Sequence, residues 1–381
     1  MTPTIEGQEA GPRRPAIRRV PRSVRMVATI TSVALVAGFL WTRHRPDGGS
    51  LPPAREGQLQ RTIRGTLVYA DVGDDGATGR LWIVDLDAGR AVPGPRTLRP
   101  DEIVAVGERG LGVRAGGAAY VVRDRSVDGS PELLAEGALV TWEPGGAGAV
   151  VVTRDPSRRG RCPVLRITRV DSRSHAVAEV YRRPTCSTVT ALATDGLSRP
   201  FVSLDGPTDA GVYELGYKTL HKVFPEYQLL SVSPVGDMLV GPPVETPTGW
   251  DGGPSAILRT LLVWQGVGGP TVIGSAKDDL RAERFLAWSY DGHRAAVLGT
   301  LGRVRSIWVL KAIPGQGRRH PRWVAPELPA HVGSVGAAFL GDSLIVAAAG
   351  RVYVVLPNGY RELELPGGAP PPSGPLLWLD D

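Results

Sequence analysis

One pattern of short apolar runs recurs along most of the chain. Seven runs rich in β-branched and aromatic residues begin 38 to 50 residues apart. They are RLWIVDL (80–86), AAYVVRD (118–124), VLRITRV (164–170), GVYELGY (211–217), LLVWQGV (261–267), SIWVLKA (306–312) and RVYVVLP (351–357). Runs of four to eight apolar or alternating residues closed by Gly, Asp or Pro are typical of β-strands. Their regular spacing indicates a repeated supersecondary unit.

Each unit contains more than one strand. A strand–turn–strand pattern precedes most of the runs, as in FLAWSYDGHRAAVLG (285–299), and a shorter, more polar strand follows. A four-stranded sheet cannot bury both of its faces alone, whereas a closed ring of such sheets stacks each face on a neighbour. The sequence therefore predicts an all-β protein, a seven-bladed β-propeller over residues 65–381. Six or eight blades remain possible because 80–100 and 218–227 are irregular, and a β-sandwich is the rival fold.

Two of the turns carry a family resemblance. SYDGHRAAV (289–297) and SPVGDMLV (233–240) resemble the S-P-D-G-x-x-hydrophobic turn of TolB-type and related WD40-like propellers. The resemblance concerns the repeat architecture of residues 65–381, and only one blade keeps the S-x-D-G pattern. It implies an exported propeller that contacts other components of the cell envelope.

The positive charge of the chain is confined to its N-terminal part. Residues 1–45 hold eight arginines and two glutamates, which accounts for the whole formal charge of +6. The remaining residues carry no net charge, so they lack the basic surface expected of a nucleic-acid-binding protein. We therefore expect no nucleic-acid partner.

An uncharged segment interrupts this basic region. Residues 26–42, MVATITSVALVAGFLWT, would span about 25 Å as a helix, which is the short end of what crosses a bilayer. Six arginines precede it and only Arg43 and Arg45 follow closely, so the positive-inside rule places 1–25 in the cytoplasm. We expect a single-pass anchor that contacts membrane lipid, a stalk over 43–64, and an extracytoplasmic body. The alternative is a cleaved signal peptide and a secreted protein.

The cysteine content agrees with export. The two cysteines, Cys162 and Cys186, flank two predicted strands, 162–170 and 175–181, joined by the turn 171–174. In that hairpin the two residues would face each other at its open end. An even cysteine count in an exported body predicts a disulfide between them.

The last seven residues suggest how the ring closes. The first repeat has no innermost strand of its own, because only the polar segment QLQRTIR precedes GTLVYADV (65–72). The final segment PLLWLDD (375–381) has the pattern of an innermost strand but no strand after it. We therefore expect Leu376, Leu377, Trp378 and Leu379 to cross the seam and pair with the strand at 66–70.

The sequence contains no contiguous catalytic or metal-binding motif. The six histidines show no H-x-H or HExxH spacing, and G-x-S-x-G is absent. From this we expect no cofactor, no metal and no enzymatic activity, and a binding scaffold or sensor for protein or cell-envelope ligands. The alternative is a propeller enzyme of the lyase, lactonase or glycosidase type. A channel mouth lined by Arg, Gly and aromatic residues would favour binding, and one with clustered carboxylates or His would favour the enzyme.

Overall fold

The structure is a computed structural model that describes most of residues 63–379, with gaps. The described residues are 63–73, 76–125, 129–156, 161–206, 209–225, 227–241, 258–259, 261–263, 270–272, 280–311, 322–323, 335–341, 343–356 and 359–379. These residues form β-strands and two short 3₁₀ helices. The fold is therefore all-β, as the sequence predicts.

The strands are numbered in chain order. The first half contains β1 (Thr66–Val72), β2 (Thr78–Asp85), β3 (Arg90–Leu98), β4 (Glu102–Val106), β5 (Gly110–Ala115), β6 (Ala118–Val122), β7 (Glu132–Glu136), β8 (Leu139–Trp142), β9 (Gly148–Asp155), β10 (Val164–Asp171), β11 (Val177–Pro184), β12 (Thr188–Thr194), β13 (Pro200–Asp205), β14 (Gly211–Leu215) and β15 (Leu220–Pro225). A 3₁₀ turn, Pro144–Gly146, joins β8 to β9.

The second half contains β16 (Gln228–Val232), β17 (Met238–Gly241), β18 (Leu258–Arg259), β19 (Leu261–Val263), β20 (Pro270–Val272), β21 (Leu280–Trp288), β22 (Arg294–Leu301), β23 (Val304–Lys311), β24 (Arg322–Trp323), β25 (Val335–Leu340), β26 (Ser343–Ala348), β27 (Arg351–Leu356), β28 (Gly359–Glu362) and β29 (Leu376–Leu379). A second 3₁₀ turn, Pro366–Gly368, lies between β28 and β29.

Within the described residues the strands form seven antiparallel sheets, and the sheets are the blades of a β-propeller. In chain order the blades are β29-β1-β2-β3, β4-β5-β6-β7, β8-β9-β10-β11, β12-β13-β14-β15, β16-β17-β19-β20, β18-β21-β22-β23-β24 and β25-β26-β27-β28. We number them blades 1 to 7. Innermost strands of successive blades contact each other, as β12 contacts β16 and β25 contacts β29, and β29 contacts β4. The ring therefore closes around a central channel.

The ring closes through the C-terminal strand. β29 pairs antiparallel with β1, with Thr66 opposite Leu379 and Tyr69 opposite Leu376. Leu376 and Trp378 pack into the core between blades 7 and 1, whereas Leu377 and Leu379 pack toward blade 2. This alternation follows from the two-residue period of a strand, and it gives blade 1 its innermost strand at the place expected from the sequence.

The disulfide lies at the open end of a blade 3 hairpin. Cys162 and Cys186 are bonded, with their Cα atoms 4.7 Å apart. In the flanking hairpin, Val164 stands opposite Pro184. The turn of this hairpin is residues 172–176 rather than 171–174, because β10 extends through Asp171.

The propeller has two distinct faces. The innermost strands all begin at one face, which we call the mouth face, and end at the other. Their following turns, at 107–109, 143–147, 195–199, 233–237 and 289–293, form what we call the turn face. No helix among the described residues is long and apolar enough to cross a membrane. The predicted tail at 1–25, the predicted anchor at 26–42 and most of the predicted stalk lie outside the described residues.

Candidate ligand site at the channel mouth

A cavity of about 690 Å³ occupies the central channel. Its walls are the innermost strands of four blades, β21, β25, β29 and β4. The connections that lead into β4 and β29, residues 99–101 and 373–375, form its rim at the mouth face. The site is thus assembled from residues that are distant in the sequence.

The two carboxylates of the rim are both engaged. Arg114 Nε lies 3.0 Å from Glu102 Oε2, and Arg114 Nη1 lies 3.8 Å from Asp101 Oδ2. The Asp101 carboxylate also accepts a hydrogen bond of 2.9 Å from the backbone N–H of Gly116. The two carboxylates therefore share one arginine, which balances half of their negative charge.

A second arginine projects from an irregular part of β21. The pairing of β21 with β22 shifts register on both sides of Arg284, between Ala282 and Arg284 and between Phe285 and Ala287. Such bulges turn side chains out of the regular alternation of a strand. Arg284 is open to solvent in the channel and donates a hydrogen bond to the backbone oxygen of Val335. The bulges thus place a cationic group on the channel wall.

No carboxylate of the described residues lies within ion-pair distance of the Arg284 guanidinium. Glu283, beside it, is held by Arg305, whose Nη2 lies 2.8 Å from Glu283 Oε2. Desolvation within the channel lowers the pKa of the Arg284 guanidinium, as do the positive charges of Arg99 and Arg305, whereas Asp101 and Glu283 act in the opposite direction. Two like charges in one cavity repel each other, so an anion bound between them would relieve that repulsion.

Arg99 supplies the second positive charge of the cavity. Its backbone N–H donates to Ala77 O at 2.9 Å, which holds the connection between blades 1 and 2. Its side chain is exposed and lines the cavity. Among the described residues no carboxylate forms an ion pair with the Arg99 guanidinium. Arg99 and Arg284 are therefore the cations of the site that are available to a ligand.

Aromatic side chains line the deeper part of the cavity. Phe285 and Trp288 lie with ring centroids 5.5 Å apart, and Phe339 and Trp378 contribute to the same wall. Trp288 Nε1 donates a hydrogen bond of 2.9 Å to Ser231 Oγ in blade 5. The ring is thereby fixed across a blade boundary and offers an apolar surface beneath the two arginines.

The strands β8 and β21 both end in a tryptophan, and the two tryptophans have different surroundings. Trp288 lines the cavity, whereas Trp142 is only 4% exposed and packs against blade 2. A Cβ atom placed on Gly112 would come within 2.7 Å of the Trp142 ring, so the small residue makes room for the indole.

Comparison with known proteins gives the fold and no family. No family model matches the chain, and no curated protein matches it either. Among solved structures, the chain is similar to a putative 6-phosphogluconolactonase from Bacteroides fragilis, with 10% identity, a TM-score of 0.50, and 85% of this chain and 100% of that chain covered. It is also similar to the periplasmic gluconolactonase PpgL of Pseudomonas aeruginosa, with 13% identity, a TM-score of 0.48, and 84% and 99% covered.

TolB from Acinetobacter baumannii is a further similar structure, with 10% identity, a TM-score of 0.41, and 81% of this chain and 80% of that chain covered. The neighbours include TolB and other β-propeller proteins. The sheets of this chain themselves confirm the expected propeller architecture. The expectation of no enzymatic activity is contradicted, because the similar structure with a TM-score of 0.50 is a putative lactonase with a propeller fold. The lack of a contiguous catalytic motif was not sufficient to predict a lack of activity, because the fold is compatible with an enzyme.

Sequence reasoning found the closing strand and the disulfide but not the charged groups of the mouth. Arg99 lies in a connection and Arg284 in a bulged strand, and neither belongs to a motif. Arg99 precedes β4 by three residues, whereas Arg284 stands in the middle of β21. The two arginines therefore share no position in the repeat that the sequence alone would reveal.

Proposed function

We propose that the protein is a membrane-tethered, extracytoplasmic β-propeller that binds an anionic ligand of the cell envelope at its channel mouth. The observation that carries the proposal is the pair Arg99 and Arg284, which face one cavity while the neighbouring carboxylates are engaged by other groups. The lining of arginine, glycine and aromatic residues also favours binding. The ligand class is a carboxylate or phosphate attached to a group that can contact Trp288 and Phe285.

The location forms part of the proposal. Residues 26–42 would cross the membrane, with 1–25 in the cytoplasm and the propeller outside. The Cys162–Cys186 disulfide supports an oxidising compartment, since such bonds persist mainly in exported proteins. An exported propeller with an open, cationic mouth is suited to capturing anionic envelope material.

A titration of the full chain with citrate and with inorganic phosphate tests the site. Arg284→Gln and Arg99→Gln should each weaken citrate binding about tenfold or more, because a hydrogen bond to a charged group contributes about 1.5–3 kcal/mol. Arg351→Gln is the matched control, since Arg351 is paired with Glu362 on the outer strands of blade 7. Equal affinity in all variants would contradict the proposed site. Binding precedes any chemical step, so the titration is informative whether or not a bound ligand is turned over.

A further inference from the structure

Large apolar side chains are concentrated on the turn face of the described residues. Three of them stand at the tips of equivalent turns in blades 4, 5 and 6: Leu197 is 77% exposed, Val235 is 53% exposed and Tyr290 is 98% exposed. Val177 and Tyr217, on neighbouring turns of the same face, are exposed as well. By contrast, Leu98 is at the mouth-face end of β3. The exposure is thus asymmetric between the two faces.

The three turns contact each other. The backbone N–H of Gly196 donates to Pro234 O at 2.9 Å, which joins the turns of blades 4 and 5. A Cβ atom on Gly292 would come within 2.8 Å of Val235 Cγ2, so the turns of blades 5 and 6 are also in contact. Leu197, Val235 and Tyr290 therefore stand on three turns that contact one another, and we call these three residues the apolar ridge.

Three carboxylates around the apolar ridge are engaged within the protein. Asp195 is buried and lies 2.6 Å from Arg199 Nη2, and Glu214 lies 2.7 Å from Arg199 Nη1. Asp291 accepts hydrogen bonds from Ser289 Oγ and from the backbone N–H of His293. The carboxyl group of Asp237, in the turn of blade 5, is buried beneath the surface.

A cation lies at the edge of the same face. Lys218 is exposed, with its Nζ 5.6 Å from the centroid of the Tyr217 ring, and it forms no ion pair with a carboxylate in the described part of the chain. Tyr and Lys side chains side by side are typical of surfaces at the membrane–water boundary, where the ring lies among the headgroups and the ammonium contacts anionic lipid.

The chain also enters the propeller at the turn face. β1 begins there, because Thr66 stands opposite Leu379 at the end of the innermost strand of blade 1. The backbone N–H of Gly65 donates to Asp87 Oδ2 at 2.8 Å, which fixes the point of entry beside the β2–β3 turn. The described part of the chain therefore begins, at residue 63, on the face that carries the apolar ridge.

We propose that the turn face of blades 4 to 6 docks on the surface of an anionic lipid bilayer, with the apolar ridge among the headgroups. The inference rests on the proposed membrane tether, which would bring this face to the membrane. The polar groups between the tips keep the surface water-soluble, and the exposed leucine, valine and tyrosine supply apolar area for the interface. In this orientation the mouth face, with Arg99 and Arg284, points away from the membrane.

Single labels on the full chain test the orientation. Both native cysteines are in the disulfide, so a thiol-reactive NBD fluorophore will label only an introduced cysteine. We would label Tyr290→Cys and Leu197→Cys on the apolar ridge and Leu98→Cys at the mouth face, and reconstitute each protein in phosphatidylcholine–phosphatidylglycerol vesicles with nitroxide lipids. The labels at 290 and 197 should shift to the blue and be quenched by the nitroxides, and the label at 98 should not.

The experiment distinguishes a failure of the docking inference from a failure of the proposed membrane tether. If the protein floats with the vesicles but the label at 290 is quenched no more than the label at 98, the docking inference is wrong and the tether stands. If the protein does not float with the vesicles, the tether and the docking inference are both wrong. Shielding of the ridge labels that depends on protein concentration rather than on lipid would show a second copy on this surface and overturn the inference. Citrate binding at the mouth should be unchanged in Tyr290→Cys.

Discussion

Leu67 of the first strand stands directly opposite Trp378 of the last strand, in the pairing that closes the ring. Both side chains are buried in the core between blades 7 and 1. The indole also lies over Gly65, where an added Cβ atom would come within 3.3 Å of the ring. Gly65 has φ +105°, a conformation that L side chains rarely adopt, and an added Cβ atom would also come within 2.6 Å of Leu379 O, so this position requires glycine.

Removing this closure should destabilise the whole propeller. We expect Trp378→Ala to lower the free energy of unfolding by about 3–5 kcal/mol, because the side chain is only 9% exposed and its loss leaves a cavity at the seam. Deletion of 375–381 should have a larger effect, since it exposes a strand edge and two blade faces. Denaturant unfolding measures both. Tyr290→Ala, at an exposed tip, should change stability by no more than about 0.5 kcal/mol. A local loss confined to blade 1 in hydrogen exchange would contradict this account.

The disulfide should contribute to the stability of blade 3. Replacing Cys162 and Cys186 together with alanine should cost about 3 kcal/mol in the loop-entropy model, which attributes the effect to the unfolded chain. Thiol titration of the exported, unreduced protein should detect no free thiol. Two titratable thiols would show that the bond does not form in the native compartment.

Asp237 should give stability an unusual dependence on pH. The side chain is 3% exposed, and its Oδ2 accepts no hydrogen bond from the described residues. Burial raises the pKa of the Asp237 carboxyl from 3.8 to about 6, against an opposing effect of His293. The folded state therefore binds the proton more tightly than the unfolded state, and this group's contribution to stability falls as the pH rises from about 4 to about 6.

The substitution Asp237→Asn should abolish this decrease in stability with rising pH. Its unfolding free energy should exceed that of the unmodified protein by up to about 3 kcal/mol above pH 6, with the difference shrinking toward pH 4. Asp291→Asn is the control in the equivalent turn of blade 6. There the hydrogen bond from Ser289 lowers the pKa of Asp291, so any stabilising effect of the carboxylate is lost as the pH falls. Chemical unfolding across this pH range distinguishes the two, and an Asp237→Asn profile parallel to the unmodified one would refute the assignment.

Topology can be measured in cells. The arginine asymmetry around residues 26–42 predicts that protease added to intact cells stripped of their wall will cleave the propeller. Full protection of residues 65–381 would show that the body is cytoplasmic.

The architecture was readable from the sequence because each strand carries its own signal. The alternation in RLWIVDL (80–86) and the turn in SYDGH (289–293) are local, and the lack of a partner for Leu376–Leu379 suggested where it must pair. The site at the channel mouth could not be predicted from the sequence, because Arg99 and Arg284 come together only when the ring closes. The bulges that present Arg284 leave no local pattern in LRAERFLAW. Absence of a motif was for the same reason no argument against enzymatic activity.

Capture of envelope material by the full-length protein tests the central claim most directly. The protein would be isolated from membranes under mild detergent, washed, and eluted with citrate, beside the double variant Arg99→Gln and Arg284→Gln and the control Arg351→Gln. We predict that the unmodified protein and the control release the same anionic component on citrate elution, and that the double variant retains none of it. Equal retention by the double variant would contradict ligand binding through the channel mouth.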